Sequence, residues 1–254
     1  MYLEQVFGLK GKVVVLTGGG RGIGQAVAIG FAKAGAAVAI FSRTGAQETV
    51  RMIEEIGGRA FDYRVDVTKE AEVDRALEQV LADAGSVDVL FNNAGVCLHK
   101  DTLEASIDEW KEVIEINLTG EYIMARAVGR IMIERGIKGS IINMASMSGS
   151  VVNIPQWQAS YNASKAGVIH MSKSLAMEWA PYGICVNSFS PGYINTPMSA
   201  DTPAELRDAW MPLIPLHRFG ETDELMPAIL YLASPAAKYT TGTDLIVDGG
   251  YTAF

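Results

Sequence analysis

The chain has 254 residues, 49% of them apolar and 20% charged, enough for a sizeable core in a globular protein and unlike a disordered or fibrous one. A formal net charge of −8 leaves no basic surface to neutralise phosphate backbones, which argues against nucleic acid as a partner but not against a nucleotide ligand. The two cysteines, Cys97 and Cys185, form no CxxC pair and read as reduced thiols, not as a disulfide framework.

The opening "MYLEQVFGLKGK" lacks the basic-then-apolar build of a signal peptide. No apolar run approaches the ~20 residues needed to span a bilayer. A soluble cytoplasmic protein with no membrane partner is therefore expected. In chain order, short β-branched runs are predicted as strands: "KVVVLT" (12–17), "AVAIFS" (37–42), "AFDYRV" (60–65) and "VDVLFN" (87–92) in the first half. "SIINMA" (140–145), "ICVNSF" (184–189) and "DLIVD" (244–248) follow in the second. Most are continuously apolar, as strands covered on both faces are. Helical patterns separate them, among them one over 70–85 and a long one over 108–136. That alternation predicts an α/β fold with a doubly wound parallel sheet. No Pro- or Gly-rich linker divides the chain, so residues 1–254 are expected to form one domain. The segment from about Pro191 to Thr222, rich in Pro, Met and polar residues, lacks sheet periodicity and reads as a lid or binding loop.

"TGGGRGIG" (17–24) follows the first strand and opens the first long helix. Glycines there allow close approach of a ligand to the backbone, and a helix N-terminus offers unpaired N–H groups to a pyrophosphate. The spacing is Gly18, Gly22, Gly24, with Gln25 where a strict G-x-G-x-x-G would place its last glycine. At the end of the second strand an NAD site usually carries a carboxylate for the ribose 2′-hydroxyl. Here "FSRTG" supplies Ser42 and Arg43 instead, and Arg21 lies within the glycine turn. Two arginines without the acid suit a 2′-phosphate, favouring NADP and leaving NAD as the weaker alternative.

Taken together, "TGGGRGIG", "DV" (66–67), "NNAG" (92–95), Asn117, the serine of "NMASMSG" (143–149), "YNASK" (161–165) and "PGYINT" (191–196) resemble the short-chain dehydrogenase/reductase family. The resemblance covers almost the whole chain. It implies a Rossmann-like sheet of seven strands and a role for each matched position. Gly18, Gly22, Ile23 and Gly24 would hold the pyrophosphate, and Asp66 and Val67 would flank the adenine. Asn93, Ala94 and Gly95 would support the sheet edge, and Pro191, Gly192, Ile194 and Thr196 would lie at the nicotinamide end. Asn117, Ser146, Tyr161 and Lys165 would form the catalytic set.

A separate physical case supports that set. Tyr161 and Lys165 stand four apart on one helix face. A free tyrosine, with a pKa near ~10, is a poor base at neutral pH. An adjacent ammonium favours the phenolate and is expected to draw the tyrosine toward working pH. Lys165 would also hold the nicotinamide ribose, the serine would polarise the substrate oxygen, and Asn117 would hold a proton-carrying water. Two serines compete: a thirteen-residue count back from the tyrosine reaches Ser148, whereas aligning Asn143 and Gly149 selects Ser146, the preferred choice.

Choosing Ser146 implies a two-residue insertion within "SVVNIPQWQAS". With the ending "VDGGYTAF", this resembles the polyol/ketose branch of the family, and Asn153, Gln156, Gln158 and Ser148 become candidate substrate contacts. Reduction of a 3-oxoacyl thioester is the alternative, and a non-catalytic cofactor-binding regulator a remote one. His99, His170 and His217 show no ligand spacing, so no catalytic metal is expected. The resemblance also implies a homotetramer. Ile123, Met124, Val168, Met171 and the aromatic C-terminus would serve either subunit contacts or the protomer core.

Overall fold

The apolar runs form a seven-stranded sheet in a computed structural model that describes residues 2–197 and 202–253. The strands are β1 (Val13–Thr17), β2 (Ala37–Ser42), β3 (Arg59–Arg64), β4 (Val89–Asn92), β5 (Ser140–Met144), β6 (Cys185–Pro191) and β7 (Asp244–Val247). Their order is β3-β2-β1-β4-β5-β6-β7 and every neighbouring pair is parallel. β1 is buried along its whole length, which is why its sequence shows no alternation.

The helices are α1 (Tyr2–Phe7), α2 (Gly22–Lys33), α3 (Gln47–Glu55), α4 (Glu70–Ala84), α5 (Ile107–Ile114), α6 (Gly120–Arg135), α7 (Ala159–Trp179), α8 (Ala204–Trp210) and α9 (Thr222–Ala233). One face of the sheet buries Val27 and Phe31 of α2 with Leu225 and Ile229 of α9. The opposite face buries Val73 and Leu77 of α4, Met124 and Val128 of α6 and Leu175 of α7. Met147, Trp210, Ile214, Phe219 and Tyr251 form a third, smaller cluster. Among the described residues no helix is long and apolar enough to cross a membrane.

Two predicted segments carry detail that their sequence pattern does not show. The pattern over 108–136 is helical without a gap, but between α5 and α6 it widens into a π-type turn, Glu115–Thr119, that carries Asn117. The apolar period continues through the turn because a widened turn still presents its residues to the same neighbours, so periodicity does not reveal it. The segment from Pro191 to Thr222 is also more ordered than composition suggested. It holds α8, a further single turn at Met211–Leu213 and a bridge between Ile194 and Gly220. Residues 198–201 of that segment lie outside the described residues, as does Phe254.

Candidate active site

Strand order reverses between β1 and β4, and ligands of such sheets bind at the carboxyl ends of the strands flanking that point. A cleft of about 620 Å³ opens there. Its floor is the turn between β1 and α2. Gly22 sits at φ +58°, a conformation that favours glycine. A Cβ on Gly24 would lie 2.2 Å from the Gly18 carbonyl oxygen and 2.6 Å from Asn93 Nδ2. Only glycine lets α2 start so close to the strand end, and its free N–H groups then face the cleft. Gln25 ties the turn down: its Nε2 donates to Thr49 Oγ1 at 3.0 Å, and Thr49 Oγ1 donates to the Gly19 carbonyl at 2.8 Å.

The wall beside β4 hangs from Thr17. Its buried Oγ1 accepts from the backbone N–H groups of Asn93 and Ala94, both at 2.9 Å. Asn93 Nδ2 donates to the carbonyls of Thr17 and Gly18 at 3.1 and 3.2 Å. Thr17 therefore joins the site, and its buried hydroxyl at a strand end was the signal for it. Asp66 and Val67 line the cleft near Arg43, whose charge acts on the Asp66 carboxylate. Ile194, by contrast, is buried in the core under α2 and α9, and Gly192 packs against the Asp248 backbone; neither lines the cleft.

The far corner fits a phosphorylated ribose. Arg21, Ser42 and Arg43 all line it, and both guanidinium groups are exposed. Among the described residues neither is held by a carboxylate at salt-bridge distance. Ser42 Oγ is buried without a hydrogen-bond partner, an arrangement that costs stability unless a ligand oxygen completes it. The donors, with Ser42 and not a carboxylate at the end of β2, fit the 2′-phosphate of NADP.

At the other end α7 brings Tyr161 and Lys165 to the cleft wall. Lys165 Nζ lies 5.9 Å from the Tyr161 ring centroid, ion-pairs with Glu121 Oε1 at 3.1 Å and donates to the Met144 carbonyl. The Ser146 side chain acts on the Tyr161 hydroxyl and favours its phenolate. Ser148 faces elsewhere: its Oγ accepts from Gln158 Nε2 at 3.2 Å. Of the two serines, Ser146 is the one against the tyrosine.

Two influences act on the tyrosine in opposite directions. Burial pushes its hydroxyl above the ordinary tyrosine value, and Lys165 and Ser146 only partly offset this. A phenolate in a site shielded from water loses more hydration than one ammonium returns. Tyr161 is accordingly a well-protected proton donor.

Asn117 clamps rather than points into the cleft. Its Oδ1 accepts from Val96 N at 2.8 Å, and its Nδ2 donates to the Val96 carbonyl at 2.8 Å and Ser164 Oγ at 3.1 Å. Asn153 and Gln156 converge on the Tyr193 hydroxyl at 3.2 and 2.9 Å, and Gln156 Oε1 accepts from Trp210 Nε1 at 2.7 Å. Gln158 bonds Asn153 and Asn162, and its Oε1 receives the Cys97 thiol at 3.7 Å. All three amides are buried and already bonded within the protein, and none of them lines the cleft. Cys97 does line it, and a lone cysteine carries no spacing signal in the sequence.

A family model described as enoyl-(acyl carrier protein) reductase matches residues 18–252. Over 252 residues the chain is 44% identical to a sorbose reductase of Candida albicans, covering 97% of this chain and 89% of that protein. It is 43% identical to an NADP-dependent mannitol dehydrogenase of Alternaria alternata, covering 98% of this chain and 95% of the other. A crystal structure of a short-chain type dehydrogenase/reductase from Mycobacterium marinum superposes with a TM-score of 0.96 at 41% identity, over 98% of this chain and 99% of that one. The family model over residues 18–252, the identity to these relatives along almost their whole length and the matching fold show that the chain belongs to the short-chain dehydrogenase/reductase family.

Proposed function

We propose that the protein is an NADP(H)-dependent oxidoreductase that interconverts a ketose and its polyol. The carrying observation is one cleft that joins a glycine-floored nucleotide site, ending in Arg21 and Arg43, to a tyrosine held beside an ammonium and a serine hydroxyl. The sugar-directed names of the most similar relatives favour a carbohydrate over a thioester.

When bound, the coenzyme supplies the hydride chemistry. In reduction Tyr161 gives its proton to the carbonyl oxygen as that oxygen gains charge, and in oxidation it takes the alcohol proton back. Ser146 donates a hydrogen bond to the same oxygen. Lys165 would hold the ribose hydroxyls of the bound coenzyme, and it favours the phenolate once Tyr161 has given up its proton. Asn117 fixes the loop at Val96, and with it the wall opposite Tyr161. The amides of Asn153, Gln156 and Gln158 reach the substrate only by exchanging present partners, and Gln158, beside Ser148 and Cys97, stands nearest the cleft among them. Residues 1–254 act as one catalytic domain, with the 191–222 segment over the substrate end.

The test is NADPH oxidation by purified protein against a panel of ketoses, with acetoacetyl-CoA and NADH as parallel arms. Turnover on a ketose with NADPH supports the reading. Turnover on the thioester alone sinks the sugar assignment and spares the chemistry.

The family resemblance and four large apolar side chains left exposed on or beside α5 and α6, Leu103, Ile107, Trp110 and Tyr122, support a homotetramer. Met124 and Val168 are fully buried in the protomer, so they serve its own interior, while Ile123 and Met171 are only partly covered. A cytoplasmic location completes the reading.

A further inference from the structure

Behind the cleft, on the first turn of α6, Glu121 occupies a position where an acid is costly. It is 2% exposed, and among the described residues its ionic partner is Lys165, itself 3% exposed at the side chain. One carboxylate oxygen takes the ammonium at 3.1 Å, and the other, Oε2, is buried with no partner. The Glu121 carbonyl receives Asn92 Nδ2 at 3.0 Å, and Asn92 also donates to Asn143, which donates to Ser172. The backbone that carries the carboxylate is thus tied to β4, β5 and α7. An apolar residue would fit the surrounding core at no desolvation cost, so the placement calls for a reason in the chemistry of Lys165.

We propose that Glu121 is a positioning residue for the Tyr161–Lys165 pair: it holds the Lys165 ammonium in place and, by partly neutralising it, limits how strongly that ammonium favours the Tyr161 phenolate. The proposal rests on the roles assigned to Tyr161 and Lys165 above. Three titratable groups face Glu121 or its partner. Lys165 and Tyr161 come from α7, and Cys97 comes from the loop after β4. Burial holds the Cys97 thiol up at about 12, so it stays neutral. β4 and β5 present Asn92 and Asn143, which do not titrate. The nearby acids of α4, Glu70 and Asp74, are taken up at the surface by Arg126 and Arg130. Burial raises the Glu121 carboxyl to about 7, against the pull of Lys165, so it is ionised at the alkaline pH where a tyrosine titrates. Its negative charge opposes the phenolate.

The sign follows. Alcohol oxidation needs Tyr161 as the phenolate, which accumulates as pH rises. Removing the Glu121 charge leaves Lys165 unopposed, and the phenolate forms at lower pH. For charges several ångströms apart in a protein interior the displacement is about one pH unit.

The experiment compares wild type with Glu121→Gln by the pH dependence of kcat/KM for oxidation. Tyrosinate absorbance is titrated in parallel, with Tyr161→Phe in each background to isolate this one ring. The expected result is an oxidation limb and a Tyr161 titration both moved down by about one unit. A merely structural carboxylate would lower activity at every pH and leave both positions unchanged, and that outcome overturns the proposal. Glu121→Asp, which keeps the charge, is expected to restore the wild-type limb. It also serves as the comparison if the Gln variant does not fold, the proposal then failing if the Asp variant titrates away from wild type in the acid direction by a full unit. Should wild type turn over no carbohydrate, the functional reading fails, while the absorbance titration still decides the role of Glu121.

Discussion

Tyr161 carries two opposing demands. Burial stabilises the protonated phenol, and Lys165 and Ser146 stabilise the phenolate. Tyr161→Phe keeps the ring and removes the proton, so kcat is expected to fall by about 10²–10⁴-fold, with NADPH affinity retained in a fluorescence titration. A comparable loss of coenzyme binding would show that the hydroxyl serves the nucleotide instead. Because the donor form is favoured, reduction should hold its rate through neutral pH and decline only as pH rises past the ordinary tyrosine range. An alkaline limb already complete by neutral pH would contradict the shift. At the opposite end of the cleft, charge-assisted hydrogen bonds contribute about 1.5–3 kcal/mol. Arg43→Ala should therefore raise KM for NADPH by about 10- to 100-fold and leave KM for NADH nearly unchanged. The glycine spacing and the Ser42–Arg43 pair made this end of the site readable from residue types. Glu121 was not readable in that way. An acid inside a helical pattern is usually a solvated surface charge, and only the packing of α6 against β4 and α7 turns it inward.

Among the elements, the start of α2 and the π-type turn between α5 and α6 contribute most to the site. Gly24→Ala would force a methyl group against the Gly18 carbonyl, so α2 must shift away from the cleft floor. The expected outcome is weakened NADPH binding together with a lower Tm. Unchanged affinity would mean that the turn relaxes without disturbing its N–H groups. α5 begins with a capping box in which Ser106 Oγ accepts from Glu109 N at 3.1 Å and Glu109 returns the bond to Ser106 N. Ser106→Ala should cost about 1 kcal/mol in denaturant unfolding, with activity preserved. The strands were legible because burial on both faces leaves no room for polar residues. β2 spans Ala37–Ser42, the bounds its apolar run suggested. The π-type turn was not legible. It places Asn117 against Val96 and Ser164, neighbours distant in the chain that local periodicity does not register.

The whole molecule is a parallel sheet packed on both faces, with a third aromatic cluster of which Tyr193 is a member. Exposed Leu103, Ile107, Trp110 and Tyr122 belong to no cluster of this protomer. Light scattering after size exclusion is expected to report about four times the 27.3 kDa of one chain. A monomer mass would leave those side chains unexplained and remove the tetramer.

What the sequence alone determined is whatever depends on local composition and order. Strand–helix alternation, the glycine turn with its arginines, and the tyrosine–lysine spacing on one helix all follow from short-range sterics and helical geometry. The tertiary structure alone decided which serine meets Tyr161, that Asn117 clamps a loop, that the loop amides bond one another, and that Glu121 faces Lys165. Each of these turns on side chains brought together from elements far apart in the chain. Their energies are set by burial and by which partners lie within a few ångströms, and neither quantity is encoded in spacing along one segment.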